Sequence, residues 1–132
     1  MKMVKRYAGI LMMLTLLVGF TSCEDDEDIY DDLIGRTWVG DLGFGYDDDP
    51  IESAIRLDGN GMGIDYLSYY RDGSPWRDLP FKWGVEYGTL FIDYGAGYDL
   101  REIRGVHVEG RYLCGDLFIA GIYFDYIELR MD

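Results

Sequence analysis

Histidine is nearly missing from this 132-residue chain: His107 stands alone, and cysteine occurs only at positions 23 and 114. A zinc centre needs several imidazole or thiolate ligands at short spacing, and no second His or Cys lies near His107. No metal or cofactor is therefore expected. A Ser-His-acid triad would have to use His107, between Val106 and Val108, and no nucleophile-elbow sequence accompanies it. Positive charge is scarce too: 12 Lys and Arg against 25 Asp and Glu give a net charge of −13. Such a surface repels nucleic acid, so no DNA or RNA partner is expected. The apolar run from Ala8 to Phe20 is too short for a spanning helix, which needs about 20 residues. Beyond it, no segment holds a 3.6-residue apolar period over three turns.

What the N-terminus does have is Lys2, Lys5 and Arg6 ahead of that short apolar run. This is the pattern of a secretory signal peptide, here residues 1–22. The segment ends in Phe20-Thr21-Ser22-Cys23. These residues resemble the lipobox of bacterial lipoproteins, with Phe20 in place of the usual Leu. The resemblance implies cleavage before Cys23, lipidation of that cysteine and attachment to a membrane through the lipid. Stable anchoring takes two or more acyl chains. Glu24 to Asp28 follow as five consecutive like charges, which repel one another and stay solvated. An acidic run at this place is similar to the export signal of surface-displayed lipoproteins of the Bacteroidota. It implies an outer-membrane lipoprotein exposed at the cell surface, with a periplasm-facing anchor as the alternative. Residues 23–32 thus read as lipidated cysteine and acidic tether, and residues 33–132 as one folded domain. Cleavage removes three positive charges and leaves 9 Lys and Arg against 25 Asp and Glu, a net charge of −16. With Cys23 modified, Cys114 has no partner in the chain and reads as a buried small residue in a strand.

Aromatic residues make up 16% of the chain, which argues for a folded core despite the charge. From residue 36 onward, short alternating segments are separated by Gly-rich turns. Phe81, Trp83 and Val85 share one face against Lys82, Gly84 and Glu86; Ile51, Ile55 and Leu57 do so against Glu52, Arg56 and Asp58. A period of two marks a half-buried strand. Asp58-Gly59-Asn60-Gly61 and Asp72-Gly73-Ser74-Pro75 are turn sequences. Strands are expected at about 36–44, 51–58, 62–71, 80–86, 89–94, 98–107, 111–118 and 122–131. This is an all-β antiparallel up-and-down meander of about eight strands, closed or partly open as a barrel, because closure removes the unpaired edges. Arg101, Glu102 and Arg104 interrupt the apolar set of one strand, so a bulge is expected there.

Leu33-Ile34-Gly35-Arg36-Thr37-Trp38 resembles the opening of lipocalin-like domains, where a helical turn leads to a Gly and then to a Trp on the first strand. The closing Ile127-Glu128-Leu129-Arg130 is similar to the last strand of that group. The spacing is Gly-x-x-Trp here instead of Gly-x-Trp, and the domain is shorter than a typical lipocalin. The chain looks like the small lipocalin-like lipoproteins of Bacteroidota. The resemblance implies a lipocalin-like barrel in which Arg130 packs over Trp38 and seals one end, at about 0.5–2 kcal/mol for such a contact.

No constellation of catalytic residues stands out, and the expectation is a non-enzymatic role in ligand binding or as a scaffold. A glycosidase needs two carboxylates at a set separation, and nothing singles out a pair among 25. Asp47-Asp48-Asp49 lacks the alternating ligands of a calcium loop and reads as solvated. The aromatic side chains carry the one binding signal. Tyr66, Tyr69, Tyr70 and Trp76 cluster around one hairpin, with Tyr66 and Tyr70 on one face and Tyr69 on the other. Outer tyrosines suit pleated surfaces in any case. As a platform they would suit a glycan or an envelope protein. Inward aromatics such as Phe81 and Trp83 favour a filled interior, so a small hydrophobic ligand would sit at the barrel mouth.

Overall fold

The computed structural model describes residues 29–132. The signal segment, Cys23 and the acidic run lie outside the described residues. One helical turn, residues 29–33, precedes nine strands. These are β1 (Thr37–Gly40), β2 (Gly45–Tyr46), β3 (Asp49–Leu57), β4 (Met62–Tyr69), β5 (Pro75–Glu86), β6 (Thr89–Asp93), β7 (Arg101–Glu109), β8 (Tyr112–Ile119) and β9 (Ile122–Met131). Every pairing is antiparallel, and sequence neighbours pair from β3 to β9. β1 bonds to both β9 and β3, which closes eight strands into a barrel. β2 is the extra strand, a two-residue hairpin arm on the start of β3. The expected meander is therefore present, and it is closed. Closure is short on one side: only Trp38 and Val39 pair with Met131 and Arg130.

The turns have the chemistry their length demands. Tyr87-Gly88 and Ala120-Gly121 join adjacent strands with positive φ at both residues. That geometry matches the twist of the flanking strands. The expected bulge is present on β7, where the pairing to β8 shifts between Arg104 and His107. Further shifts occur between Leu67 and Ser68 and between Leu117 and Phe118.

Inward side chains fill the barrel. Trp38, Ile55, Phe81, Leu90, Ile103 and Leu113 are all buried, and an eight-stranded barrel is just wide enough to be filled in this way. Each such side chain contributes roughly 1.5–3 kcal/mol by leaving water. Both ends are stoppered. At one, Leu33 from the helical turn is fully buried, and the Tyr30 ring meets Trp83 at 4.7 Å. Ile29 and Tyr30, expected in the tether, pack against the core as part of this stopper. Gly35 leaves the turn at φ +77°, and its N–H donates to the Leu57 carbonyl at 3.0 Å. At the other end the loop after β1 drops Leu42 and Phe44 into the mouth, both buried.

Candidate functional site

Beneath Leu42 and Phe44 the barrel interior holds a polar cluster: Ser53 on β3, Asp65 on β4, Tyr94 just after β6 and Arg101 at the start of β7. Asp65 is fully buried. Its Oδ2 accepts from the Ser53 hydroxyl at 2.9 Å and from the Tyr94 hydroxyl at 2.7 Å. Its Oδ1 accepts from the Ala54 backbone N–H at 3.1 Å. The backbone explains the last bond. Pairing of β3 with β4 runs from Glu52–Ser68 to Ile55–Asp65 with no paired residues between. The carboxylate thus takes a strand donor that the ladder leaves over.

Burial is the largest influence on Asp65 and raises its pKa to about 6, against the lowering effect of its hydrogen bonds and of Arg101. Tyr94 lies well above its ordinary value, first through burial and then through the Asp65 charge and hydrogen bond. Burial lowers Arg101, opposed by Tyr94, Asp99 and Asp65.

Arg101 joins this cluster to the mouth loop. Its Nε donates to the Leu42 carbonyl at 3.1 Å, Nη1 to the Asp99 carbonyl at 3.0 Å and Nη2 to the Gly43 carbonyl at 3.5 Å. Its guanidinium also lies 4.1 Å over the Phe44 ring. Phe44 meets Tyr94 edge-on at 5.2 Å, so aromatic, cation and carboxylate stack inward in one column. On the other side of the loop, Gly43 has φ +84°, which strains any L side chain, and a Cβ there would also lie 2.5 Å from the end of the Ile119 side chain and 3.7 Å from the Phe124 ring. The arrangement works as a lock. Asp65 is the kind of perturbed carboxyl found in acid–base sites, but its hydrogen-bond partners are all groups of the barrel itself.

The aromatic residues expected to form a platform do not share one face. Tyr66 is on the outer wall, where its hydroxyl accepts from Arg56 at 3.2 Å. Tyr70 is exposed in the turn after β4. Tyr69 and Trp76 instead pack partly against the core, under the guanidinium groups of Arg71 and Arg77 at 4.1 and 4.3 Å. Alternation along β4, with Gly63, Asp65 and Leu67 inward, leaves Tyr66 outside and turns Tyr69 inward, and Trp76 is the residue passed over where the β4–β5 register shifts.

The expected seal of Arg130 over Trp38 is also not formed. Trp38 is fully buried, with its indole N–H donating to the Leu33 carbonyl at 3.4 Å. Its neighbour on β9 is Met131, while Arg130 pairs with Val39 and is exposed. A directly opposed pair shares a face, so Arg130 is on the outside. Among the described residues, the arginine that closes a barrel end over aromatic rings is Arg101, at the opposite mouth.

His107 is exposed, with Nδ1 2.8 Å from the Gly105 carbonyl. No described group of His, Cys, Asp and Glu has the geometry of a metal site. Asp47 and Asp48 are exposed in the β2–β3 turn. Cys114 is buried, as expected, yet on the outer wall; it pairs with His107 and Glu128, and Tyr126 hydrogen-bonds to it.

Sequence reasoning missed Ser53, Asp65, Tyr94 and Arg101. Arg101 had a signal: it stands at an inward position of an alternating strand. Asp65 had a misleading one, since Met62, Ile64 and Tyr66 form the more apolar face of β4 but point outward.

Compared with known proteins, the chain matches no family model, no curated protein and no solved structure.

Proposed function

We propose that this chain is an exported lipoprotein, anchored through Cys23, whose small barrel has a non-enzymatic binding or scaffold role and works from its outer surface. One observation carries the second half of this reading. The interior is filled by large side chains, and both mouths are stoppered, by Leu33 at one and by Leu42 and Phe44 at the other. A small hydrophobic ligand would have to displace Leu42 and Phe44 against the hold of Arg101. The outer wall, in contrast, offers exposed aromatic residues to a glycan or an envelope protein. The basic and apolar N-terminus, the lipobox-like residues and the acidic run support the address at the outer membrane and the display at the cell surface.

Three measurements test this. Labelled palmitate should enter the wild-type chain and not Cys23→Ser, and the variant should leave the membrane fraction. Protease added to intact cells should digest the wild-type domain; protection there would place the domain on the periplasmic side. Thermal-shift screening against fatty acids and haem-like compounds should give no rise in midpoint, because only a ligand of the folded state raises it. A clear rise would reverse the exterior reading and point to the Leu42–Phe44 mouth.

A further inference from the structure

Closure of the barrel is complete on one side of β1 and short on the other. All of β1 pairs with β3, from Thr37–Arg56 to Gly40–Ser53. Against β9 it pairs only through Trp38 and Val39, and after Gly40 the chain leaves the wall for the mouth loop. Beyond that point β3 is covered: the Ile51 N–H donates to the Phe44 carbonyl at 3.3 Å, and β2 pairs with Asp49 and Pro50. β9 is left open. No described residue pairs with its β1 side from Ile122 to Glu128.

Backbone direction fixes which groups lie along that edge. The Met131 N–H donates to the Arg111 carbonyl beside the start of β8, and the Asp132 N–H donates to the Thr37 carbonyl on the β1 side. Successive strand residues turn their backbone groups to opposite sides. Arg130, Glu128 and Tyr126 therefore turn theirs to the β1 side. Arg130 meets Val39 there. Further along, the Tyr126 N–H has no strand acceptor and donates instead to the Asp125 side chain at 2.9 Å. The stretch is open to solvent: every residue from Ile122 to Tyr126 is exposed.

We infer that the free edge of β9, from Ile122 to Glu128, takes an extended segment of another polypeptide as an added antiparallel strand, in the line that β1 leaves at Gly40. The inference rests on the proposal that the barrel works from its exterior, and it names the kind of partner. A row of unpaired strand donors and acceptors is a template for a second extended backbone, which repeats at the same spacing; a sugar or a lipid does not. The antiparallel sense continues the pairing that β1 already makes. A second copy is disfavoured at this edge. Two-fold pairing over the whole free stretch would set Asp125 opposite its own counterpart, and like charges directly opposite are destabilising. Asp125 thus guards the edge against its own kind. The edge also lies away from the anchored end. The chain enters the barrel through Tyr30 and Leu33 at one end, whereas the β8–β9 turn stands at the other, with Ile119 beside Gly43 of the mouth loop.

The test uses the full chain in nanodiscs of zwitterionic phosphatidylcholine, with empty discs as reference. The probe is a fluorescent short peptide alternating Thr and Val, with a Lys at each end, read by anisotropy. Wild type should bind it. The same peptide N-methylated at every internal residue keeps its side chains and charge but has no backbone donors, and it should bind at least about tenfold more weakly. Hydrogen exchange locates the site: bound peptide should slow the Tyr126 and Glu128 amides about tenfold and leave those of β4 unchanged. Glu128→Pro removes one edge donor and should weaken binding about tenfold, with circular dichroism unchanged, since Pro is tolerated where a strand N–H faces no partner. The methylated peptide probes the same bonds with the protein unaltered. Equal binding of the two peptides would overturn the inference in favour of unspecific attraction. Three other results would overturn it as well: no binding by wild type, protection on a strand other than β9, or a self-associated chain in which the Tyr126 and Glu128 amides are slow without peptide. Palmitate labelling of Cys23 and a flat small-ligand screen would still stand in each case, so failure here is distinguishable from failure of the tethered, exterior reading.

Discussion

The hydroxyl of Tyr94 donates to the carboxylate of Asp65 at 2.7 Å, across 29 positions of sequence and inside a closed barrel. Because Asp65 has its pKa raised from 3.8 to about 6, the folded state holds that proton more tightly than the unfolded one. Its contribution to stability is fully present below the unfolded value and is lost as pH rises through about 6. The difference is at most about 3 kcal/mol, from 1.36 kcal/mol per pKa unit. Urea unfolding at pH 5 and pH 7.5 should show the wild type more stable at the lower pH from this source. Asp65→Asn should flatten that dependence.

Arg101 should be the residue on which the closed mouth depends. Arg101→Met removes donors to the Leu42, Gly43 and Asp99 carbonyls and the cation over Phe44. The expected loss is about 2–4 kcal/mol, since buried acceptors are left unpaired. Amide exchange over residues 41–46 should speed up more than elsewhere. Arg101→Lys should not restore protection, because one ammonium lacks the planar fork that reaches several carbonyls.

Gly63 faces the interior opposite Phe81. A Cβ there would lie 2.5 Å from the Phe81 ring, and closer still to the Arg56 carbonyl oxygen. Gly63→Ala should destabilise by about 1–3 kcal/mol, the usual effect of overpacking. Phe81→Leu in the same chain should recover only part of this, because the strand backbone also stands in the way. Thermal melts of the two single variants and the double variant measure the coupling.

Cys114 is shielded by a side chain of the outer wall. Tyr126 hydrogen-bonds to it, the largest of the causes that push the phenol up to about 12. In a Cys23→Ser chain, Cys114 is the single thiol, and it should react slowly with an aromatic disulfide reagent. Tyr126→Ala should raise that rate about tenfold by opening access, without unfolding the barrel. An unchanged rate would show that other neighbours bury the thiol.

Local chemistry settled much of this protein before any folding. Alternation in 51–58 and 80–86, and turn pairs such as Tyr87-Gly88, depend only on the period of a strand and on which residues tolerate positive φ. That is why the strands and the bulge on β7 were legible, and why closure followed once eight amphipathic strands had no helix to cover their edges. Facing was legible only where apolar and polar residues strictly alternate. On β4 they do not: Ile64 points outward and Asp65 inward, because Gly63 gives way to Phe81 and because Ser53, Ala54 and Tyr94 satisfy the carboxylate. No window of sequence holds those partners together. The same is true of Arg101, which contacts a loop 58 and 59 positions away, and of Arg130, which points outward because its register partner is Val39 and not Trp38. Sequence by itself determined most of the strands and turns, but not that the segment expected as a strand over 36–44 stops at Gly40, gives Leu42 and Phe44 to the mouth loop and continues as the short β2. The pairing of β1 with both β3 and β9 decided which residues meet, since a buried charge can persist only where distant donors converge on it.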